Sequence, residues 1–208
     1  YNDGAGRGIT RMRRARITTP DIQQWDIQNP HAIASAEKFA ADRVTDIVED
    51  VRKALKDSVA EAIRVGQSQR QLKKKIRETV GLNGRQIRAL ENFENKLIAS
   101  GASQKEVAVQ VAKEAEKKLR YRAEMIARTE TSAAWADGNV ASYKEAGVEY
   151  KEFSAASDSC EICWPLNGNV YPIGSSEQVI PKHVNCRCDW LPVVESPSII
   201  ETPEQVMG

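Results

Sequence analysis

The feature that most limits what this chain can fold into is a cluster toward its C-terminal end. Cys160-Glu161-Ile162-Cys163 is followed by Pro181-Lys182-His183-Val184-Asn185-Cys186-Arg187-Cys188. All four cysteines of the chain and one of its two histidines lie there. A C-x-x-C pair at a turn brings two thiolates within reach of one tetrahedral ion, and a second pair of Cys or His donors completes such a site. Cys160 and Cys163 make the first half. His183, Cys186 and Cys188 offer three donors for the two remaining positions. The expected set is Cys160, Cys163 and His183 with one of the later two. In an extended strand Cys186 and Cys188 point to the same face, so spacing does not choose between them. The competing readings are reduced structural thiols, one or two disulfides, or a redox C-x-x-C, the last without a thioredoxin-like βαβ context. With no secretory signal in the polar, Gly-rich N-terminus, the spacing points to zinc. The zinc is expected to be structural, because a thiolate-rich closed site leaves no position for water. In a unit with so little core of its own, metal binding at about 10–16 kcal/mol apparent is most of the folding free energy.

The rest of the chain reads as helix. It has 208 residues, 41% hydrophobic and 28% charged, with a mean hydropathy of -0.51, which points to much solvated helix surface. Residues 1–29 are expected to be a flexible basic arm: Arg7, Arg11, Arg13, Arg14 and Arg16 stand against the single acid Asp3. Such an arm is a solvated terminus or a contact for nucleic acid or another anionic surface. Asn29-Pro30 starts a helix. An apolar stripe from Ile33 through Val44, Val51 and Val59 to Ile63 predicts one helix of some nine turns, stopped near Gly66 and serving as a bundle or oligomer seam. A second helix, 68–80, buries Leu72, Ile76 and Val80 and turns Arg70, Lys73, Lys74, Lys75 and Arg77 outward. That basic face is expected to be solvated; as a DNA contact it lacks an interleaved aromatic residue to stack on bases. A third helix is predicted over 84–99. Ser103 and Glu106 form a capping box that opens a fourth, reaching 120, and a fifth over 121–145 ends at Gly147. Then the pattern changes. Residues 148–153 and 186–191 alternate as strands do, and Asn167-Gly168 is a hairpin turn signal. The fold class is therefore α+β: an extended helical N-terminal part followed by a small β-rich, zinc-stapled unit. The expected divisions are the arm 1–29, a long-helix region 30–120, a core 121–194 with the Cys/His unit, and a tail 195–208. No apolar run reaches the roughly 18 residues that span a membrane. The chain begins at Tyr1 rather than Met, which suggests a fragment or a processed product.

Two segments together carry a family resemblance. One is Arg120-Tyr121-Arg122-Ala123-Glu124-Met125-Ile126-Ala127-Arg128-Thr129-Glu130-Thr131, with Ala133, Ala134 and Asn139 beyond it. The other is Asp158, Cys160, Cys163, Leu166 and Gly168, then Pro181, His183, Asn185, Cys186, Arg187 and Cys188. Over about residues 68–194 the chain resembles the phage Mu F-like minor head proteins, also called phage head morphogenesis proteins. Val184 stands where the family pattern has Pro. The resemblance implies a low-copy, non-enzymatic structural protein of a tailed phage or prophage. It implies association with the portal protein at the portal vertex, and with scaffold or capsid proteins. It also implies assembly in the host cytoplasm, residence in the virion, and a part in head assembly and DNA packaging or ejection.

Arg128 and Glu130 project roughly 200° apart on a helix, so they are not an i,i+4 pair, whereas Arg128 can meet Glu124. They are expected to form a structural clamp between the last helix and the β unit, with Glu130 reaching Arg122 or Arg187 only through tertiary structure. Two readings from other classes compete. An HNH-like metal-dependent nuclease is suggested by C-x-x-C with His183 and Asn185. It needs a His base and further ligands apart from the structural zinc, and His31 is the one other histidine. A DNA-binding module using Arg7–Arg16 is the second. An ADP-ribosylating toxin fused to such a domain is disfavoured, because the chain ends soon after the zinc unit.

Overall fold

The structure, a computed structural model, describes residues 29–193. Among these residues five α-helices precede a small sheet: α1 (Pro30–Phe39), α2 (Glu49–Arg64), α3 (Gln69–Thr79), α4 (Gly84–Ala99) and α5 (Gln104–Glu145). Strands β1 (Tyr150–Ser154), β2 (Val170–Pro172) and β3 (Asp189–Val193) form an antiparallel sheet in the order β2-β1-β3. The architecture is the expected helical part followed by a β unit.

Local chemistry accounts for most helix starts. The Asn29 side chain accepts from the His31 and Ala32 amides at 2.9 and 3.3 Å, with Pro30 in the first turn. Ser68 with Gln71, Asn83 with Gln86, and Ser103 with Glu106 form capping boxes at α3, α4 and α5. The far end of α5 closes on Gly147 at φ +73, whose N–H bonds Lys144 while the Val148 N–H returns to Tyr143. These two bonds are a Schellman ending.

Two expectations change. The nine-turn helix over 30–66 is two helices separated by a corner at 40–48, where Ala41 and Asp46 take positive φ. The apolar stripe continues through the corner, but side chains from elsewhere occupy its backbone groups. Glu130 accepts the Ala41 N–H at 2.9 Å, Arg52 donates to the Ala41 carbonyl, and Arg122 donates to the Thr45 carbonyl at 2.8 Å. The second change joins the expected fourth and fifth helices into one of 42 residues, about 63 Å long, so the division at 120/121 falls inside α5. What changes near 121 is burial. Before it only Val107 of α5 is buried; from Arg122 onward every turn has a buried residue.

Two cores result, and α5 enters both. The helical core gathers Leu55, Val59, Ile63, Leu72 and Ile76 around Ala123, Ile126, Ala127 and Ala134 of α5. The second packs Phe153, Trp190 and Ile180 on Ala136 and Tyr143. Phe153 and Tyr171 meet the Trp190 ring edge-on at 5.5 and 5.8 Å, and the Tyr143 hydroxyl donates to the Trp190 carbonyl at 3.0 Å. The β1–β2 connection is no tight hairpin. Gly168, at φ +84, donates to Phe153 and closes a long loop that carries Cys160 and Cys163. No helix among the described residues is long and apolar enough to cross a membrane.

The crossing of α1 over α5 is close. A Cβ built on Gly138 would lie 2.5 Å from the Ala32 amide nitrogen and 2.7 Å from its Cα. Glycine inside a helix costs roughly 1 kcal/mol against alanine, so its place here rests on contact. Gly138→Ala is expected to force α1 outward and lower stability by about 2 kcal/mol despite the better helix propensity. Urea denaturation measures it; an unchanged midpoint would show that α1 yields freely.

Candidate metal centre

Two short turns build the site. In the first, the Cys163 and Trp164 amides donate to the Cys160 carbonyl at 3.1 and 2.9 Å, leading into a single 3-10 turn at Trp164–Leu166. Backbone N–H groups of Cys163 and Ile162 also point at the Cys160 sulfur and hold its pKa below the usual thiol value. In the second, the Cys186 amide returns to the His183 carbonyl at 3.2 Å, which requires Asn185 in the left-handed region at φ +66. The Cys188 side chain, then the Cys188 and Lys182 backbones, donate to the Cys186 sulfur and hold its pKa down at about 5.

The turns face each other. His183 Nε2 lies 3.1 Å from the Cys160 sulfur and 3.2 Å from that of Cys163, and the Cys163 and Cys186 sulfurs are 3.9 Å apart. A tetrahedral ion with sulfur ligands at about 2.3 Å separates its thiolates by about 3.8 Å. The donors fall into two triads, Cys160–Cys163–His183 and Cys163–Cys186–Cys188, each with its ligand atoms within 4.8 Å of one another. Cys163 belongs to both. All four cysteines are free thiols. Cys163, Cys186 and Cys188 are buried against Phe153, Trp190 and Ile180, while Cys160 is exposed. Burial pushes the Cys163 thiol up to about 11, and its hydrogen bond to Cys186 raises Cys188. The residues fit a closed thiolate–imidazole site, in which an ion displaces the protons that these thiols otherwise keep.

The His183 imidazole is engaged at both nitrogens: Nδ1 lies 2.8 Å from the Val184 carbonyl, which raises its pKa, and Nε2 faces two sulfurs. Neither nitrogen is left to act as a base. His31 pairs with Glu145 at 2.9 Å.

Helix α5 grips the second turn. Arg128 donates to the Asn185 side chain at 2.8 Å and to Glu124 at 2.9 Å, and the Thr129 hydroxyl accepts the Asn185 N–H at 2.9 Å. Arg187 pairs with Asp158 and ties the two turns together. Glu130 faces the other way. Its buried carboxylate holds the α1–α2 corner through the Ala41 amide and lies 3.6 Å from Arg43, rather than reaching Arg122 or Arg187. Successive residues of one helix thus hold different parts of the molecule, as their angular separation requires. In the sequence Thr129 stands out only as a motif residue, and Asn185 only as a motif residue and a feature of the nuclease reading; the clamp was expected from Arg128 and Glu130. The signal for Asn185 was its residue type, since Asn tolerates the left-handed region. Arg7, Arg11, Arg13, Arg14 and Arg16 lie outside the described residues.

These features define a class: an α+β protein in which a long helix holds a small antiparallel sheet with a cysteine–histidine cluster. The chain belongs to the Phage Mu protein F like family, whose family model matches residues 53–191, more than half of its length. That membership suggests a phage head morphogenesis protein. No curated protein and no solved structure matches the chain significantly.

Burial raises the Glu130 pKa above its ordinary 4.5, outweighing the Ala41 hydrogen bond and the Arg43 charge. The folded state therefore holds that proton more tightly than the unfolded one, and Glu130 costs stability progressively as pH rises from 4.5 through the raised value. Glu130→Gln is expected to remove this part of the pH slope while staying within about 1 kcal/mol of wild type at pH 7. Glu130→Ala, which orphans the Ala41 amide, is expected to lose about 2 kcal/mol. Chemical denaturation across that pH range separates the two.

Proposed function

We propose that this chain is a low-copy structural protein of a tailed phage or prophage head. In this reading it sits at the portal vertex, is assembled in the host cytoplasm, and acts in head assembly and in DNA packaging or ejection, without enzymatic activity. The observation that carries the reading is the family match over residues 53–191. The surface agrees with a protein made to pack on others: Ile87, Ile98, Val109 and Tyr121 of α4 and α5 are between 46% and 63% exposed, and α4 has no buried residue. A helix gains most of its stability from tertiary packing, so this hairpin has reason to seek a partner. The partner in this reading is the portal protein, with scaffold or capsid proteins as further neighbours.

The same reading assigns zinc to the cysteine–histidine centre, held by Cys160, Cys163 and His183 with a fourth donor from the Cys186–Cys188 pair. Thiolates and imidazole suit zinc, and a filled tetrahedral site leaves no open position for chemistry. The ion's part is to hold the β unit folded. The purified chain is expected to carry one zinc per molecule by elemental analysis. Cys163→Ser, which breaks both triads, is expected to abolish zinc binding and lower the thermal midpoint. A metal-free chain of unchanged stability would remove the zinc assignment.

Co-sedimentation with the cognate portal ring at low and high salt tests the functional reading. Binding that survives high salt is expected, because an apolar seam is not screened. No binding at either salt would overturn portal association. In the same preparation, supercoiled plasmid with magnesium is expected to stay uncut; nicking would revive the nuclease reading.

A further inference from the structure

The two turns of the metal centre do not support themselves equally. Backbone bonds brace the first: the Cys163 and Trp164 amides reach the Cys160 carbonyl at 3.1 and 2.9 Å, and the Leu166 amide reaches the Cys163 carbonyl at 3.1 Å. Among the described residues a single backbone bond, from the Cys186 amide to the His183 carbonyl at 3.2 Å, closes the second. Yet the second turn carries two donors, His183 at its first position and Cys186 at its last. Its third residue, Asn185, takes φ +66, which is the pattern of a type II turn. Proline is favoured at the second position of such a turn because it presets φ, and here that position holds the exposed Val184. Local chemistry alone therefore leaves His183 and Cys186 free to rotate away from the first turn.

Helix α5 supplies what the turn lacks. Asn185 sits between the two donors and is held at two points. Its side-chain oxygen accepts from Arg128 Nη1 at 2.8 Å, and its N–H donates to the hydroxyl of the buried Thr129 at 2.9 Å. Arg128 is itself fixed. Its Nη2 donates to Glu124 at 2.9 Å, and the other Glu124 oxygen accepts from Lys73 of α3 at 3.1 Å. An unbroken chain of polar contacts thus runs from α3 through α5 to the second turn. With Asn185 so held, His183 Nε2 stands 3.1 and 3.2 Å from the Cys160 and Cys163 sulfurs, and the Cys186 sulfur stands 3.9 Å from that of Cys163. Ligand distances in a metal site vary by only about 0.2 Å, so donors on a weakly closed turn need an outside brace.

We propose that Arg128 and Thr129 are positioning residues for the metal: by holding Asn185 they keep His183 and Cys186 facing Cys160 and Cys163 before an ion binds, and so raise the affinity for it. The inference rests on the zinc reading of the cluster. It adds a dependence on two residues of α5 that do not themselves ligate. Groups that orient ligands from behind change metal affinity by about 10- to 100-fold.

The test is competition for zinc between the full chain and a chromophoric chelator, with thermal midpoints recorded with and without zinc. Arg128→Ala is expected to weaken zinc binding about tenfold, and Thr129→Val, which keeps the shape and removes the acceptor, by a similar factor. Neither change leaves a buried charge alone, because Glu124 keeps Lys73. Adding Val184→Pro to Arg128→Ala is expected to recover part of the loss, since a preset φ does some of the work of the brace. Lys118→Ala is the control. It removes an i,i+4 pair of the same kind elsewhere on α5, to Glu114 at 3.2 Å, and is expected to leave zinc affinity unchanged. A contact that only adds stability would lower both midpoints alike and leave zinc affinity at the wild-type value; that result overturns the inference while the zinc reading stands. A loss of affinity that Val184→Pro leaves untouched overturns it as well. A wild-type chain that takes no zinc from the chelator overturns the zinc reading and this inference together.

Discussion

A helix has one circumference, and α5 divides its own between two cores. Each of α1 to α4 touches it, and so does β3. On the side facing α1 it carries small residues, and Gly138 lets the Ala32 backbone approach closely. On the side facing the sheet it carries Ala136 and Tyr143, whose hydroxyl is tied to β3. Because all these positions ride on one rigid backbone, the register of the sheet against the helices is set by α5. The three residues Arg128, Thr129 and Glu130 are this division in miniature: two hold Asn185 of the cysteine–histidine unit, and the third holds the Ala41 corner.

The cysteine–histidine unit depends on that grip, and it is poised between two states of charge. Cys186 is held toward thiolate by hydrogen bonds to its sulfur, while Cys163 and Cys188 are pushed toward the neutral thiol. An ion arriving here therefore finds one ready ligand and must displace protons from the others, which makes its binding depend on pH. The buried Lys151 shows how little apolar material the unit has to spare. Its ammonium lies 4.3 Å from the Trp190 ring centroid and donates to the Ser175 carbonyl at 3.0 Å, so a cation serves as filling for the sheet.

Much of this is legible in the sequence. The Ser103 capping box, the Asn29-Pro30 start, the Gly147 ending and the alternation around Phe153 and Trp190 are short-range signals, and each marks the element it predicts. The clustering of Cys160, Cys163, His183, Cys186 and Cys188 was equally visible. The α1–α2 corner was not, because its backbone bonds are taken by Glu130 and Arg122, far away in sequence and unmarked by local propensity. The continuity of α5 was missed for the opposite reason. A change from exposed to buried residues near 121 looks like a boundary, yet no breaker stands there to make one. Gly138 did leave a trace: a glycine inside a strongly helical run asks for a packing reason.

At about 63 Å, α5 is far longer than the sheet it supports, and its first half runs out beside α4 with almost nothing buried. Mechanically it is a strut clamped at one end. A load applied to the α4–α5 hairpin has no loop in α5 to absorb it, and is taken first by the helical core at Ala123, Ile126 and Ala127 and then by Arg128 and Thr129. The element that meets it there is the Asn185 turn, where the two halves of the cysteine–histidine cluster come together.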